Sequence, residues 1–460
     1  MAYMKKKKYS SLPSVNVDEK LFTVLDVGCA NLRLSCGYVG ADKLVKIVGY
    51  LERPSKGLSR GSITDLNELA SSIASLIQDF QNMYDITIKE VVTGVPGCFI
   101  YAENHNGTAM VQSGKVTIND RNNAISTAKA GVNSKFDENY TTIHLVPQYY
   151  RTESANKVQN PIGMFAKRLD VNVHVIGCNT LHMKNIENAL LMASREIHMK
   201  NMIYEGIAAS SAVLLDSEKD IGVIHIDMGA GTTSVSVFEG NRHLISFGID
   251  DAGDYITRWI AKAFAISPSD AEYLKCNFGL ASPSLLREEE FYEPLPLLSE
   301  KGQMHQEITR YALCSYINRA LVNMFNLILK RVIDASGAYL DKLNIGAGVV
   351  LSGGTAKLPG IERVFSQCIS QMSEDPTCRF ISISPKVRIG HPRLLSIYEN
   401  ACDQHAISDT DKAVVVGLLR AARFENLNQY IKGTAEAEHE SGKVMEFFKK
   451  AAKWMDRELF

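Results

Sequence analysis

The sequence has almost no net charge. Fifty Lys and Arg stand against 51 Asp and Glu, a formal net charge of −1 over 460 residues. A chain without a polyelectrolyte field is not expected to have nucleic acid as its main partner. It also lacks any C-x-x-C pair. Its nine cysteines are odd in number, and several, such as Cys98 and Cys178, sit in apolar runs. Reduced thiols in a cytosolic protein are the expectation. No apolar h-region follows the basic run Lys5–Lys8, so no secretion signal is read. Residues 1–20 are taken as a disordered, solvated basic tail, with a weak contact to anionic lipid as the alternative. No stretch approaches the ~20 consecutive apolar residues that span a bilayer. What is present is a globular composition, 45% hydrophobic, long enough for two halves that each bury a core.

Hydrophobic patterning predicts strands at Leu21–Val27, Leu32–Val39 and Glu90–Val95. A helix is expected at Leu66–Met83, opened by Thr64 or Asp65. From Pro96-Gly97 to about Lys167 the texture changes to short strand-like runs, Ala109–Ile118 and Thr142–Val146 among them. This is read as an inserted subdomain. Alternation of strand and helix resumes at Val171, with helices at Leu181–Glu196 and Ala208–Leu215 and a strand at Ile221–Asp227. A long helical region follows at Gln303–Ser336, then a strand at Asn344–Leu351 and a helix near Pro359. The polar segment Glu425–Gly442 reads as a flexible linker.

Two segments repeat. TVLDVGCANLRLSCGYV begins at Thr23 and VIHIDMGAGTTSVSVFEG at Val223, so that Asp26 aligns with Asp227 and Gly28 with Gly229. Each is a buried strand ending in Asp-x-Gly, a tight hairpin and a second strand. Glycines let a hairpin backbone approach a phosphate closely. A carboxylate beside a triphosphate is tolerable only with a cation between them, which points to Mg²⁺ held through water by Asp26 and Asp227. A lone Asp-x-Gly is an ordinary turn. Here two are joined by a third element, GVVLSGGTAKLPGI from Gly348, whose Gly353-Gly354 pair lets a flat nucleoside lie against bare backbone.

At the end of the chain, helical projection of Lys443–Phe460 puts Phe447, Phe448, Trp454 and Met455 on one face. Lys449, Lys450, Lys453 and Arg457 fall on the other. A basic polar face opposite bulky aromatics suits a helix lying in a lipid interface. The alternative is docking on the protein's own body or on a partner.

The three glycine elements resemble the phosphate-1, phosphate-2 and adenosine motifs of the actin, heat-shock chaperone and sugar-kinase superfamily. From Leu21 to Phe460 the chain is similar to the bacterial FtsA cell-division family. The likeness rests on HLVPQYYR at His144–Arg151, NPIGM at Asn160–Met164, GIAASSAVLLDSEKDIGVIHIDMGAGTT from Gly206, ISPSDAEYLK at Ile266–Lys275, VVLSGGTAKLPGIERVF at Val349–Phe365, VRIGHP at Val387–Pro392 and the closing helix. The resemblance implies an α/β, actin-like duplicated ATPase fold of two ribonuclease H-like halves. It divides the chain into subdomain 1A at 21–96 and 167–215, the family's inserted subdomain at 97–166, subdomain 2A at 216–251 and 330–424, subdomain 2B at 252–329, the linker at 425–442 and a membrane-targeting helix at 443–460.

By the same resemblance, Asp26, Gly28, Cys29 and Asn31 belong to the first phosphate loop. Asp227, Gly229, Gly231, Thr232 and Thr233 form the second. Glu272 and Lys275 reach the ribose or adenine edge, and Gly353 and Gly354 complete the adenosine side. Cys29 stands where Thr or Ser is usual, Asn31 where Lys is common, Ala230 where Gly is usual and Ser234 where Asp often follows. Backbone donors survive these changes, so ATP with Mg²⁺ is expected as a conformational and assembly ligand with slow turnover at most. No catalytic base is assigned. The implied role is a filament-forming scaffold on the cytoplasmic face of the bacterial inner membrane at the division site. There it would tether the tail of the tubulin-like FtsZ through subdomain 2B and recruit later division proteins through the insert. A pilus-assembly relative and a small-molecule kinase of the same fold are the rivals. The first should lack the terminal helix, and the second shows no sugar-binding signature.

Overall fold

The computed structural model describes residues 21–40, 44–132, 134–297, 308–337, 342–372, 381–393, 396–397 and 407–423. The basic tail, the linker and the amphipathic helix with its aromatic and basic residues lie outside these. Packing divides the chain into two units. One runs to Ala102 and takes in Asn139–Ile143 and Gly177–Arg423; the other holds Glu103–Glu138 and His144–Ile176.

The larger unit contains the same sheet twice. In the first sheet, Phe22–Val27, Asn31–Val39 and Val45–Pro54 form an antiparallel meander. Glu90–Val95 adds parallel to the first of these strands, and His198–Tyr204 adds parallel to it in turn. In the second, Val223–Met228, Thr233–Glu239 and Arg242–Ile249 form the meander. Gly348–Ser352 and Val387–Ile389 add parallel on the same side. Strand order and direction match through all five positions, which turns the sequence repeat into a structural duplication. The central strand of each sheet is buried nearly end to end, as a strand covered on both faces must be.

Local signals place the helices. Asp65 caps Leu66–Tyr84, its carboxylate accepting the N–H groups of Asn67 and Glu68. The helix buries Leu69, Ile73, Leu76, Ile77 and Phe80 at helical spacing. Arg310–Ser336 is long and apolar enough to cross a membrane by length and composition. Its Leu313, Ile317, Leu321, Phe325 and Leu329 instead fill the core of the second lobe.

Two expectations change. Ala109–Ile118 is not a strand: the strand is Ile100–Met110, and a helix begins at Ile118 behind the capping box of Thr117 and Asp120. The apolar residues Val111 and Val116 that suggested a strand are buried loop positions. The expected strand Asn344–Leu351 is two, Leu343–Ile345 and Gly348–Ser352, because Gly348 turns the chain at φ 77°.

The smaller unit is a three-stranded sheet with Arg168–Asn179 between Ile100–Met110 and Tyr140–Arg151. Its helix Ile118–Ala130 lies flush on the sheet at Gly107, where a Cβ would stand 2.0 Å from the Ala124 carbonyl oxygen. The unit therefore continues to Ile176, beyond the Ala166 boundary read from the sequence, because the return strand is its centre.

Candidate functional site

The two meanders bring their Asp-x-Gly turns face to face. In the first, Asp26 and Arg33 are direct cross-strand partners flanking the turn. A Cβ on Gly28 would stand 2.8 Å from the Asn31 carbonyl oxygen. In the second, the Gly229 N–H donates to the Thr232 carbonyl at 2.9 Å and closes the turn. A Cβ on Gly231 would meet the Cys29 sulfur at 2.6 Å. The two tips thus touch at Gly231 and Cys29.

The third wall is the turn after Gly348–Ser352. Gly353 has φ 90°, and a Cβ there would lie 2.3 Å from the Met228 carbonyl oxygen, so only glycine fits. Gly354 faces open space, its nearest neighbour on such a Cβ being Asp411 at 4.0 Å. Thr355 donates its hydroxyl to the Gly229 carbonyl at 2.7 Å, tying this wall to the second hairpin. The helix Gly253–Phe264 starts against the same turn, with the Asp254 N–H donating to the Ala230 carbonyl at 2.7 Å. Lys275 reaches this corner. Its ammonium donates to Glu272 at 2.6 Å, to Thr257 at 2.9 Å and to the Gly253 carbonyl at 3.1 Å. Glu272 and Lys275 are therefore a half-enclosed pair at the edge of the site.

Three buried carboxyls face the same space. Asp26, Asp227 and Glu205 are each less than a tenth exposed. Burial raises the pKa of Asp26, partly offset by the Arg33 guanidinium. Burial also lifts Asp227 to about 6, against a hydrogen bond from Ser352, and the charge of Asp26 pushes the same way. Glu205 is held well above the carboxylate range by burial and by the charges of Asp26 and Asp227. Arg33 is the cation that offsets all three. It pairs with Asp26 at 3.0 Å, Glu52 at 3.2 Å and Asp411 at 3.3 Å. Lys412 braces Glu52 at 2.6 Å, and Lys357 braces Asp411 at 2.8 Å. Burial alone would raise Asp411; hydrogen bonds from Lys357 and Lys412 outweigh it and bring the group down to about 2.

A nucleotide with its divalent cation fits this set. The glycines let the three turns pack closely with backbone at their surface, and the repelling carboxyls call for added positive charge. Among the described residues no three His, Cys, Asp or Glu converge tightly enough to ligate a bare ion.

Not every expected residue contributes a side chain. The hydroxyl of Thr233 donates to the Asp251 carbonyl at 2.7 Å and is buried there. The thiol of Cys29 accepts the Gly61 N–H at 3.0 Å, and burial pushes its pKa to about 11, so it stays neutral and adds no negative charge to the turn. Thr232 turns its methyl toward Gly61. These positions line the site with backbone. Sequence reasoning missed Arg33 and Glu205. Arg33 was detectable as the one charge in the strand Asn31–Val39, in register with Asp26. Glu205 was detectable as the one charge in the buried helix Glu205–Val213, whose start lies beside the carboxyls.

Comparison with known proteins agrees with this architecture. The family model described as "Cell division protein FtsA" matches residues 224–417, and "SHS2 domain inserted in FTSA" matches residues 97–177. Cell division protein FtsA of Escherichia coli (strain K12) is 27% identical over 446 residues, covering 96% of this chain and 99% of that protein. That of Neisseria meningitidis serogroup B is 29% identical over 351 residues, covering 75% and 82%. A solved structure described as a PilM-PilN type IV pilus biogenesis complex superposes with a TM-score of 0.59 at 15% identity, covering 88% of this chain and 98% of that one, which is a likeness of fold. With both of the family's models matched in their proper places on a duplicated actin-like fold, the chain belongs to the FtsA cell-division family.

Proposed function

We propose that this chain is an ATP-binding scaffold of bacterial cell division. It polymerises on the cytoplasmic face of the inner membrane at the division site and tethers FtsZ there. The observation that carries the reading is the pair of Asp-x-Gly hairpins whose tips meet at Gly231 and Cys29. When bound, Mg²⁺ would supply the charge that lets a triphosphate sit among carboxyls. Asp26 and Asp227 would hold its waters, the glycine backbones would donate to phosphate oxygens, and Gly353 and Gly354 would carry the nucleoside. Lys275 and Glu272 would meet its ribose or base edge. Burial and the charges of Asp26 and Asp227 raise the pKa of Glu205, and no residue is assigned as a general base, so ATP is read as a conformational and assembly ligand with slow turnover at most.

The membrane step belongs to residues 443–460. Burying Phe447, Phe448, Trp454 and Met455 contributes on the order of 6–10 kcal/mol before the costs of ordering and immobilisation. One helix is then a reversible anchor, and a filament of linked copies binds far more strongly through effective concentration. FtsZ is proposed to dock its tail on residues 252–329, and the inserted unit to meet neighbouring subunits and later division proteins. The experiment is co-sedimentation with vesicles containing anionic lipid. Replacing Phe448 and Trp454 with Glu should abolish it while ATP binding persists; unchanged sedimentation would contradict the anchor.

A further inference from the structure

Behind the cleft, Asp227 is the first member of a buried hydrogen-bonded chain. Its Oδ1 accepts the Ser352 hydroxyl at 2.6 Å. The Ser352 Oγ lies 2.9 Å from His225 Nε2, and His225 Nδ1 lies 2.9 Å from the Ser210 Oγ. Ser352 and His225 are fully buried, and Ser210 is 1% exposed. Three elements supply these groups. His225 and Asp227 are two apart on Val223–Met228 and so share a face. Ser352 pairs directly with Asp227 in the parallel ladder. Ser210 stands on the helix Glu205–Val213, which begins with the third cleft carboxyl.

With Asp227 ionised, hydrogen counting settles the direction at Ser352. Burial keeps His225 neutral, with its pKa near 3. The single hydrogen of Ser352 goes to Asp227, so the Ser352 oxygen accepts, and His225 Nε2–H must donate to it. Nδ1 is then left as an acceptor, and it shares the one Ser210 hydrogen with the Gly206 carbonyl, to which that hydroxyl donates at 2.5 Å. A buried imidazole costs stability unless both nitrogens are used. A Val at 225 would satisfy an apolar central strand without that cost, so His225 asks for a reason beyond packing.

We propose that His225 is a positioning residue for the nucleotide site: through Ser352 it fixes the orientation of the Asp227 carboxylate, and through Ser210 it locks the helix carrying Glu205 to that carboxylate. The proposal deepens the nucleotide reading and rests on it. Asp227 has one oxygen held by Ser352 and one left for the cleft. Without the imidazole, Ser352 is free to rotate and the carboxylate loses its fixed aim. Fixed aim matters because a water-held cation tolerates little misplacement.

The test separates the two arms of the imidazole. In His225→Gln the side-chain amide takes the place of Nε2 and keeps the Ser352 arm. In His225→Asn it takes the place of Nδ1 and keeps only the Ser210 arm. His225→Val keeps neither. Equilibrium binding of ATP with Mg²⁺ is measured for each by calorimetry, with the thermal midpoint recorded alongside. His225→Gln should bind within about threefold of wild type. His225→Asn and His225→Val should bind roughly tenfold or more weakly, the scale of one lost hydrogen bond to a charged group. A packing role predicts that Gln and Asn behave alike, and equal affinities would overturn the proposal. Absence of binding by the wild type would overturn the nucleotide reading instead. A second measurement needs no nucleotide. The ¹⁵N spectrum of histidine-labelled protein at pH 8 should show His225 as the Nε2–H tautomer. An Nδ1–H tautomer there would overturn the proposal whatever the binding result.

Discussion

Replacing Asp227 with Asn should stabilise the cation-free protein, by an amount that depends on pH. Asp227 is 7% exposed, and its folded pKa is about 6 against an ordinary 3.8. An acid whose pKa is raised by folding binds its proton more tightly in the native state. Its effect is absent at low pH and becomes a penalty as pH rises from about 4 through about 6. A shift from 3.8 to about 6 corresponds to about 3 kcal/mol when fully developed, and about 1 kcal/mol is present at pH 4.5. Asn keeps an oxygen that accepts from Ser352, so the substitution removes the charge and leaves the hydrogen bond. Urea unfolding in the presence of a chelator, at pH 4.5 and pH 8, reads the difference. The gain of Asp227→Asn over wild type should be about 2 kcal/mol larger at pH 8. A gain equal at the two pH values, or a loss at both, would refute the claim that the cleft carries uncompensated charge. Adding ATP with Mg²⁺ should reverse the order, because a ligand that binds only the native wild type raises its stability by mass action.

Arg33→Met leaves Asp26, Glu52 and Asp411 without their shared cation, and unfolding midpoints should report a loss of about 3–5 kcal/mol. Gly353→Ala forces a Cβ to 2.3 Å from the Met228 carbonyl at φ 90°, so calorimetry should show lost ATP binding and thermal melts a lower midpoint. Cys29→Ser returns a hydroxyl to the first hairpin and should raise the rate of phosphate release. An unchanged rate would contradict a role for Cys29 in the proposed slow turnover, with Glu205 the next residue to exchange.

The duplication was legible because it is local. A buried strand, a tight Asp-x-Gly turn and a return strand are contiguous, so Asp26 with Gly28 and Asp227 with Gly229 announce both halves. Gly353 was legible for the same reason, as a turn between a strand and a helix. Long-range placement was not. Arg33 is one charge in a strand until the fold brings Asp411 to it from 378 residues away. Glu205 reads as the start of a small-residue helix until that start lies beside Asp26 and Asp227. His225 looks like an interruption in an apolar strand until Ser210 and Ser352 reach its two nitrogens. The strand Arg168–Asn179 looked like the return to the main body, since its alternation says that it is half-buried and not which sheet it joins.

The central claim is that the two Asp-x-Gly hairpins, whose tips meet at Gly231, bind one nucleotide. Calorimetric titration of the purified chain with ATP and Mg²⁺, compared with Gly231→Val, tests it most directly. One saturable site in the wild type, lost in a folded Gly231→Val, is the result the account predicts. Equal binding by both proteins, or none by the wild type, would contradict it.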